Sequence, residues 1–187
     1  MACKTSNQKD CERGVREMIF SPMVSVIITV YNGARWLPAA FKSFENQTYG
    51  NVEWVLVDDG SSDDSADLCA RWCSVDPFRR RFVRKEKNGG ISAERNDGFG
   101  YATGDYILFW DCDDEQDSGA IEKMVASVDR PDDVVVCSIR RVLPDGSYQD
   151  LFACDRHETT PEGALAEWLR GGIYRSLFKT CSTAYSC

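Results

Sequence analysis

Apolar residues in this chain alternate between two rhythms. Val24-Ser25-Val26-Ile27-Ile28-Thr29-Val30 is β-branched almost throughout, the composition of a central strand buried on both faces. Tyr31-Asn32-Gly33 ends it, and from Arg35 to Gln47 the apolar residues Leu37, Ala40, Phe41 and Phe44 recur at i, i+3, i+4 and i+7, the stripe of an amphipathic helix with Pro38 tolerable in its first turn. The pair then repeats. Val52 to Val57 reads as a strand, Asp58-Asp59-Gly60-Ser61-Ser62 as a turn, and Ser65 to Ser74 as a helix with Ala66, Cys69, Ala70 and Cys73 on one face. Phe82 to Arg84 is a short third strand; after Asn88-Gly89-Gly90, Ser92 is the predicted N-cap of a helix to about Ala102. Gly104 leads into the apolar run Tyr106 to Trp110, and Ile121, Met124, Val125 and Val128 mark the next helix. Strands alternating with helices of this length predict an α/β fold with a Rossmann-like, mostly parallel sheet.

The strand ends carry the candidate chemistry. Thr29-Val30-Tyr31-Asn32, Asp58-Asp59-Gly60-Ser61 and Asp111-Cys112-Asp113-Asp114 each fall where a buried strand delivers its polar end, and in a parallel sheet all three surface on the same edge, where ligands bind. Carboxylates crowded at Asp111, Asp113 and Asp114 repel one another unless a cation lies between them, and Mg2+ or Mn2+ suits such oxygen ligands. A solvated acidic loop is the alternative, which the two other polar strand ends disfavour. Neither GxGxxG nor GxxxxGK[ST] is present, so phosphates must be held in another way.

Composition narrows the classes. The 187 residues suit one core-forming domain, and 43% hydrophobic with 28% charged residues is globular. A net charge of -8 argues against nucleic acid or an anionic membrane surface as the main partner. The basic tract Arg79-Arg80-Arg81, with Arg84 and Lys85, reads as an exposed helix-to-strand connection, although a nucleotide phosphate could use it. No secretory signal precedes the nine cysteines and no CxxC pair gives zinc spacing, so they read as reduced and the protein as cytoplasmic. His157, the only histidine, reads as solvated.

The segments SVIITVYNGARWL, NQTYGNVEWVLVDDGSSDDS and KNGGISAERNDGFGYATGDYILFWDCDD, in this order, resemble the nucleotide-sugar-binding half of a family 2 glycosyltransferase of the GT-A fold. The match covers about Val24 to Glu115. The resemblance implies a metal-dependent, inverting transfer from a nucleotide-diphospho-sugar, with a UDP-sugar favoured, to a saccharide or lipid-linked acceptor in cell-surface polysaccharide synthesis. Residue by residue, it implies that Thr29 and Tyr31 line the nucleoside pocket, that Asp59 accepts a hydrogen bond from the base with Asp58 nearby, and that Arg95 and Asn96 belong to the donor site. It places Asp111 near the ribose and Asp113 on a Mg2+ or Mn2+ bridging both phosphates, with Asp114 as a supporting ligand. Glu94 stands where the family pattern has a small residue.

After Glu115 the pattern thins. An apolar strand from Val134 to Cys137, a hairpin turn at Pro144-Asp145-Gly146, and a helix from Pro161 to Arg170 capped by Thr160 are predicted. Residues 1–21 read as an N-terminal extension, 22–130 as the nucleotide-sugar-binding core and 131–187 as a partial acceptor-side segment. Inverting transfer needs a general base, and Glu115, Asp145, Asp155 and Glu162 are the acids available, none in a recognisable acceptor motif. The catalytic base is therefore left unassigned. Two other readings follow: a donor-binding module without efficient transfer, completed if at all by partner elements that could also give peripheral membrane association, and a sugar-phosphate nucleotidyltransferase, which lacks its phosphate loop.

Overall fold

The computed structural model describes residues 21–128, 135–137, 139–143, 145, 147–152 and 176–179. Along the chain these form β1 (Val24–Val30), α1 (Leu37–Glu45), β2 (Val52–Asp58), α2 (Ser65–Val75), β3 (Arg80–Arg84), α3 (Ile91–Tyr101), β4 (Tyr106–Asp111), α4 (Ala120–Ala126), β5 (Val135–Val136), β6 (Ile139–Val142), β7 (Tyr148–Phe152) and β8 (Ser176–Lys179). The main sheet runs β3-β2-β1-β4-β8-β5. Its first four strands are parallel, while β8 lies antiparallel to both β4 and β5. The β6–β7 hairpin turns through Asp145, whose carboxylate accepts the Ser147 N–H at 2.9 Å, as the Pro144-Asp145-Gly146 signal implied.

Every residue of β1 is buried, and its two-residue period divides the core. Val24, Val26, Ile28 and Val30 share one face with the residues that α1, α2 and α4 bury. Phe41, Phe44, Trp54, Trp72 and Trp110 stack there in one aromatic cluster, with Phe41 on Trp72 at 4.8 Å and Phe44 on Trp54 at 5.1 Å between ring centroids. Ile27 belongs to the opposite face, packed with Val55, Val57 and Ile107 beneath α3. Gly98 allows this close approach, since a Cβ there would meet Ile27 and Val57 side chains. Thr29 shares the parity of Ile27, so its hydroxyl also lies on the α3 side.

Several boundaries differ from the sequence expectations. Ser92 is inside the first turn of α3 and the cap position is Gly90, whose φ of 84° few residues but glycine adopt without strain. Strand β3 begins at Arg80, two residues before the apolar Phe82, because the ladder with β2 continues to Trp54. The basic tract is therefore mostly strand. Arg80 lies over the Trp72 ring at 3.9 Å and pairs with Glu45 at 3.3 Å, a packing role on the strand. Val128 is buried but lies just beyond α4. The extension through residue 20, His157, the Pro161 to Arg170 helix and residues 180–187 lie outside the described residues.

Candidate functional site

Strand register assembles the site. In the sheet Thr29 is level with Asp111, Val30 with Asp58, and Asp58 with Arg84, so the three polar strand ends do share one edge. The Thr29 hydroxyl donates to Asp111 Oδ1 at 3.0 Å. Arg95 reaches the same oxygen from α3 at 3.2 Å, with its guanidinium 5.6 Å from the Phe109 ring centroid and its buried Nε without a partner among the described residues. Oδ2 of Asp111 carries no hydrogen bond or ion pair among those residues. Asn96, one position on, is exposed on the same helix.

The acidic cluster is less compact than its sequence suggests. Asp111 is half-buried, Cys112 is buried and Asp113 is exposed, so the chain turns outward across these residues. Among the described residues no three His, Cys, Asp or Glu side chains converge as a metal cluster. Asp111 is tied to Thr29 and Arg95 while Asp113 faces solvent, so the two carboxylates meet different surroundings. Two carboxylates remain a sufficient protein donor set for Mg2+ or Mn2+, which complete their coordination with water and substrate phosphate.

Asp58 and Asp59 are both buried, at 0% and 1% exposure. Asp58 accepts the Ser61 N–H at 3.3 Å and pairs with Arg84 at 3.7 Å, leaving Oδ1 without a partner among the described residues. Asp59 is saturated: Lys85 Nζ lies 2.8 Å from Oδ1, and the amides of Gly89 and Gly90 donate to the carboxylate at 2.8 to 3.0 Å. Burial opposes its charge, but Lys85 and the two amides outweigh burial and hold its pKa below the ordinary carboxylate value. Lys85, raised by its hydrogen bonds to Asp59 and Asp97, also reaches Asp97 at 3.0 Å. Both Asp59 oxygens are thus engaged by Lys85 and the Gly89 and Gly90 amides.

Tyr31, 51% exposed, stands on a loop that is held amide by amide. The N–H of Val30 donates to Glu94, that of Asn32 to Ser61 Oγ at 2.9 Å, that of Gly33 to Ser65 Oγ at 2.9 Å and that of Ala34 to Asp63 at 3.1 Å, while the Tyr31 N–H faces the Cys112 thiol. Asn32 takes a positive φ of 48° and accepts the Ser62 N–H at 2.9 Å. Gly33 is required because a Cβ there would lie 2.6 Å from the Cys112 sulfur. Burial pushes the Cys112 thiol up to about 12, so it stays neutral and keeps its packing role. Burial likewise raises the Cys73 thiol to about 12, and among the described residues Cys69, Cys73 and Cys112 form no disulfide.

Glu94, Lys85, Asp63 and Cys112 were not selected from sequence. Glu94 and Gly98 are four residues apart in α3, a spacing that places Glu94 on the sheet-facing side, and its burial at 4% exposure follows. Of the acids considered as a general base, Glu115 and Asp145 are exposed, and Asp155 and Glu162 lie outside the described residues.

Comparison with known proteins agrees with this geometry. A cholesterol galactosyltransferase of Borreliella burgdorferi is 34% identical over 124 residues, covering 66% of this chain and 34% of its own. The minor teichoic acid biosynthesis protein GgaB of Bacillus subtilis is 37% identical over 113 residues, covering 59% of this chain and 12% of its own. The chain spans 34% to 41% of the length of the first curated relatives it matches. Among solved structures, S. aureus TarS in complex with UDP-GlcNAc superposes with a TM-score of 0.58 at 26% identity, covering 63% of this chain and 34% of that one. The mannosyltransferase PcManGT of Pyrobaculum calidifontis, solved with GDP-Man and Mn2+, has a TM-score of 0.60 at 24% identity over 65% of this chain and 36% of that one. The sheet and its flanking helices are thus those of the GT-A fold, and since the sequence model of glycosyl transferase family 2 matches residues 25–160, the chain belongs to that family.

Proposed function

We propose that this chain provides the donor half of a metal-dependent, inverting glycosyltransferase that takes a UDP-sugar and glycosylates a saccharide or lipid-linked acceptor during cell-surface polysaccharide synthesis on the cytoplasmic side. The observation that carries this reading is the Thr29–Asp111–Arg95 link at the sheet edge, flanked by exposed Asp113 and by Tyr31. UDP-GlcNAc bound to TarS and the teichoic acid role named for GgaB support the donor and product classes.

In this reading Tyr31 packs against the base with Thr29 beside the nucleoside, Asp59 and Asp58 close the base end, and Asp111 meets the ribose. Asp113, assisted by Asp111 through its Oδ2, would hold Mg2+ or Mn2+, whose chemistry there is Lewis-acid stabilisation of charge on the leaving diphosphate. Arg95 and Asn96 lie on the diphosphate side. Arg95 holds Asp111 in place and adds positive charge where the anomeric carbon–oxygen bond breaks. The acceptor hydroxyl attacks from the opposite face and its proton passes to a base on the acceptor side, which is left unassigned.

A second reading is a donor-binding module without transfer, for which the observation is that Glu115 and Asp145, the described acids considered as a base, are both exposed. No helix among the described residues is long and apolar enough to cross a membrane. Release of UDP from UDP-sugars in the presence of Mn2+, with and without candidate acceptors, separates the two readings. Turnover supports the enzyme; tight metal-dependent binding without turnover supports the module; no binding of any nucleotide contradicts both.

A further inference from the structure

Val30 is the branch point of the donor edge. Its carbonyl accepts the Asp59 N–H at 2.9 Å, and the next residue along its own chain, just past β1, is Tyr31, so the two residues assigned to the base both leave the sheet from this rung. The Val30 N–H donates to the Glu94 carboxylate, which α3 inserts at 4% exposure against the strand end. The next residue of α3 is Arg95, which grips Asp111. Adjacent positions on one helical turn thus hold the base side and the diphosphate side of the edge.

We infer that Glu94 is a positioning residue for donor binding: its carboxyl group fixes the Val30 rung, and through the shared turn of α3 it sets the spacing between Tyr31 with Asp59 and Asp111 with Arg95. Glu94 itself touches no donor atom, being buried behind the edge. A small residue at this place would leave the rung to the sheet alone, and a longer carboxylic side chain reaches the Val30 amide across the gap between helix and strand. Asp59, Lys85 and Asp111 are the charged groups that act on it; Asp59 meets Val30 only through its backbone N–H on the Val30 carbonyl, and the Val30 N–H is taken by Glu94.

The inference rests on the donor-site reading, and the test separates the two. Glu94→Gln keeps an acceptor oxygen for Val30, whereas Glu94→Ala removes it. In 15N-labelled protein the Val30 amide proton should shift upfield and exchange faster in Glu94→Ala, and stay near its wild-type position in Glu94→Gln. Titration of UDP with Mn2+ should show an affinity loss of about tenfold in Glu94→Ala and recovery to within about threefold in Glu94→Gln, a rescue that general destabilisation would not produce. An unchanged Val30 amide in Glu94→Ala overturns the contact. A changed amide with wild-type UDP affinity overturns the positioning role alone. Failure of wild-type protein to bind UDP overturns the donor reading and with it this role, while the amide shift still reports the contact.

Discussion

At the scale of single residues, the ionisable groups of the edge differ in how pH acts on them. Burial drives Glu94 up to about 7, partly offset by the Val30 amide, with Asp59 adding to the rise. A carboxyl whose folded pKa exceeds its unfolded value binds a proton preferentially in the folded state. Its favourable contribution is therefore complete below the unfolded value near 4.5 and is lost as pH rises through about 7. Asp59 behaves in the opposite sense: its pKa is depressed, so its contribution is present above the ordinary carboxylate value and is lost as pH falls. Glu94→Gln should consequently gain stability relative to the wild type between pH 5 and pH 8, by at most about 3 kcal/mol. Urea unfolding at the two pH values measures it, and a difference independent of pH would show that Glu94 is not buried as a perturbed acid.

At the scale of elements, α3 is the part on which the site depends, and its seat on the sheet is Gly98. A side chain there would run into Ile27 and Val57, so Gly98→Val should cost about 1–3 kcal/mol and weaken UDP binding by displacing Arg95 from Asp111. Gly100 is the internal control, since nothing lies within 4 Å of a Cβ at that position of the same helix. Gly100→Ala should stabilise the protein by about 0.5–1 kcal/mol through helix propensity, with binding unchanged. Thermal unfolding of both variants decides; equal effects would contradict the close packing. Strands β1, β2 and β4 were legible because buried β-branched and aromatic runs leave little alternative. The start of α3 was not, because Ser92 offers a good capping side chain while the backbone turn uses Gly90. Nor was β8, whose pairing with β4 joins distant segments, as Tyr106 with Lys179, without a local signal for the pairing in either. The site divides the same way. Thr29, Asp111 and Arg95 were legible as strand ends and a motif, whereas Glu94 and Cys112 act on backbone amides whose places only the fold determines.

At the scale of the whole molecule, the proposed donor would bring a diphosphate to a chain of net charge -8, at an edge bearing Asp58, Asp59, Asp111 and Asp113. Arg84 is paired with Asp58, Lys85 with Asp59 and Arg95 with Asp111, so the described cations at this edge are already committed to its carboxylates. Additional positive charge must arrive with the ligand, which is why a divalent ion is central to the account and why Asp113, exposed at the end of the run that opens with Gly104, is its most informative position. The decisive measurement is calorimetric titration of UDP into the wild type and Asp113→Ala, each with and without Mn2+. The account predicts wild-type binding that strengthens at least tenfold with Mn2+ and an Asp113→Ala protein that folds normally but gains nothing from the metal. Equal metal enhancement in both proteins, or UDP affinity indifferent to Mn2+ in the wild type, would contradict it.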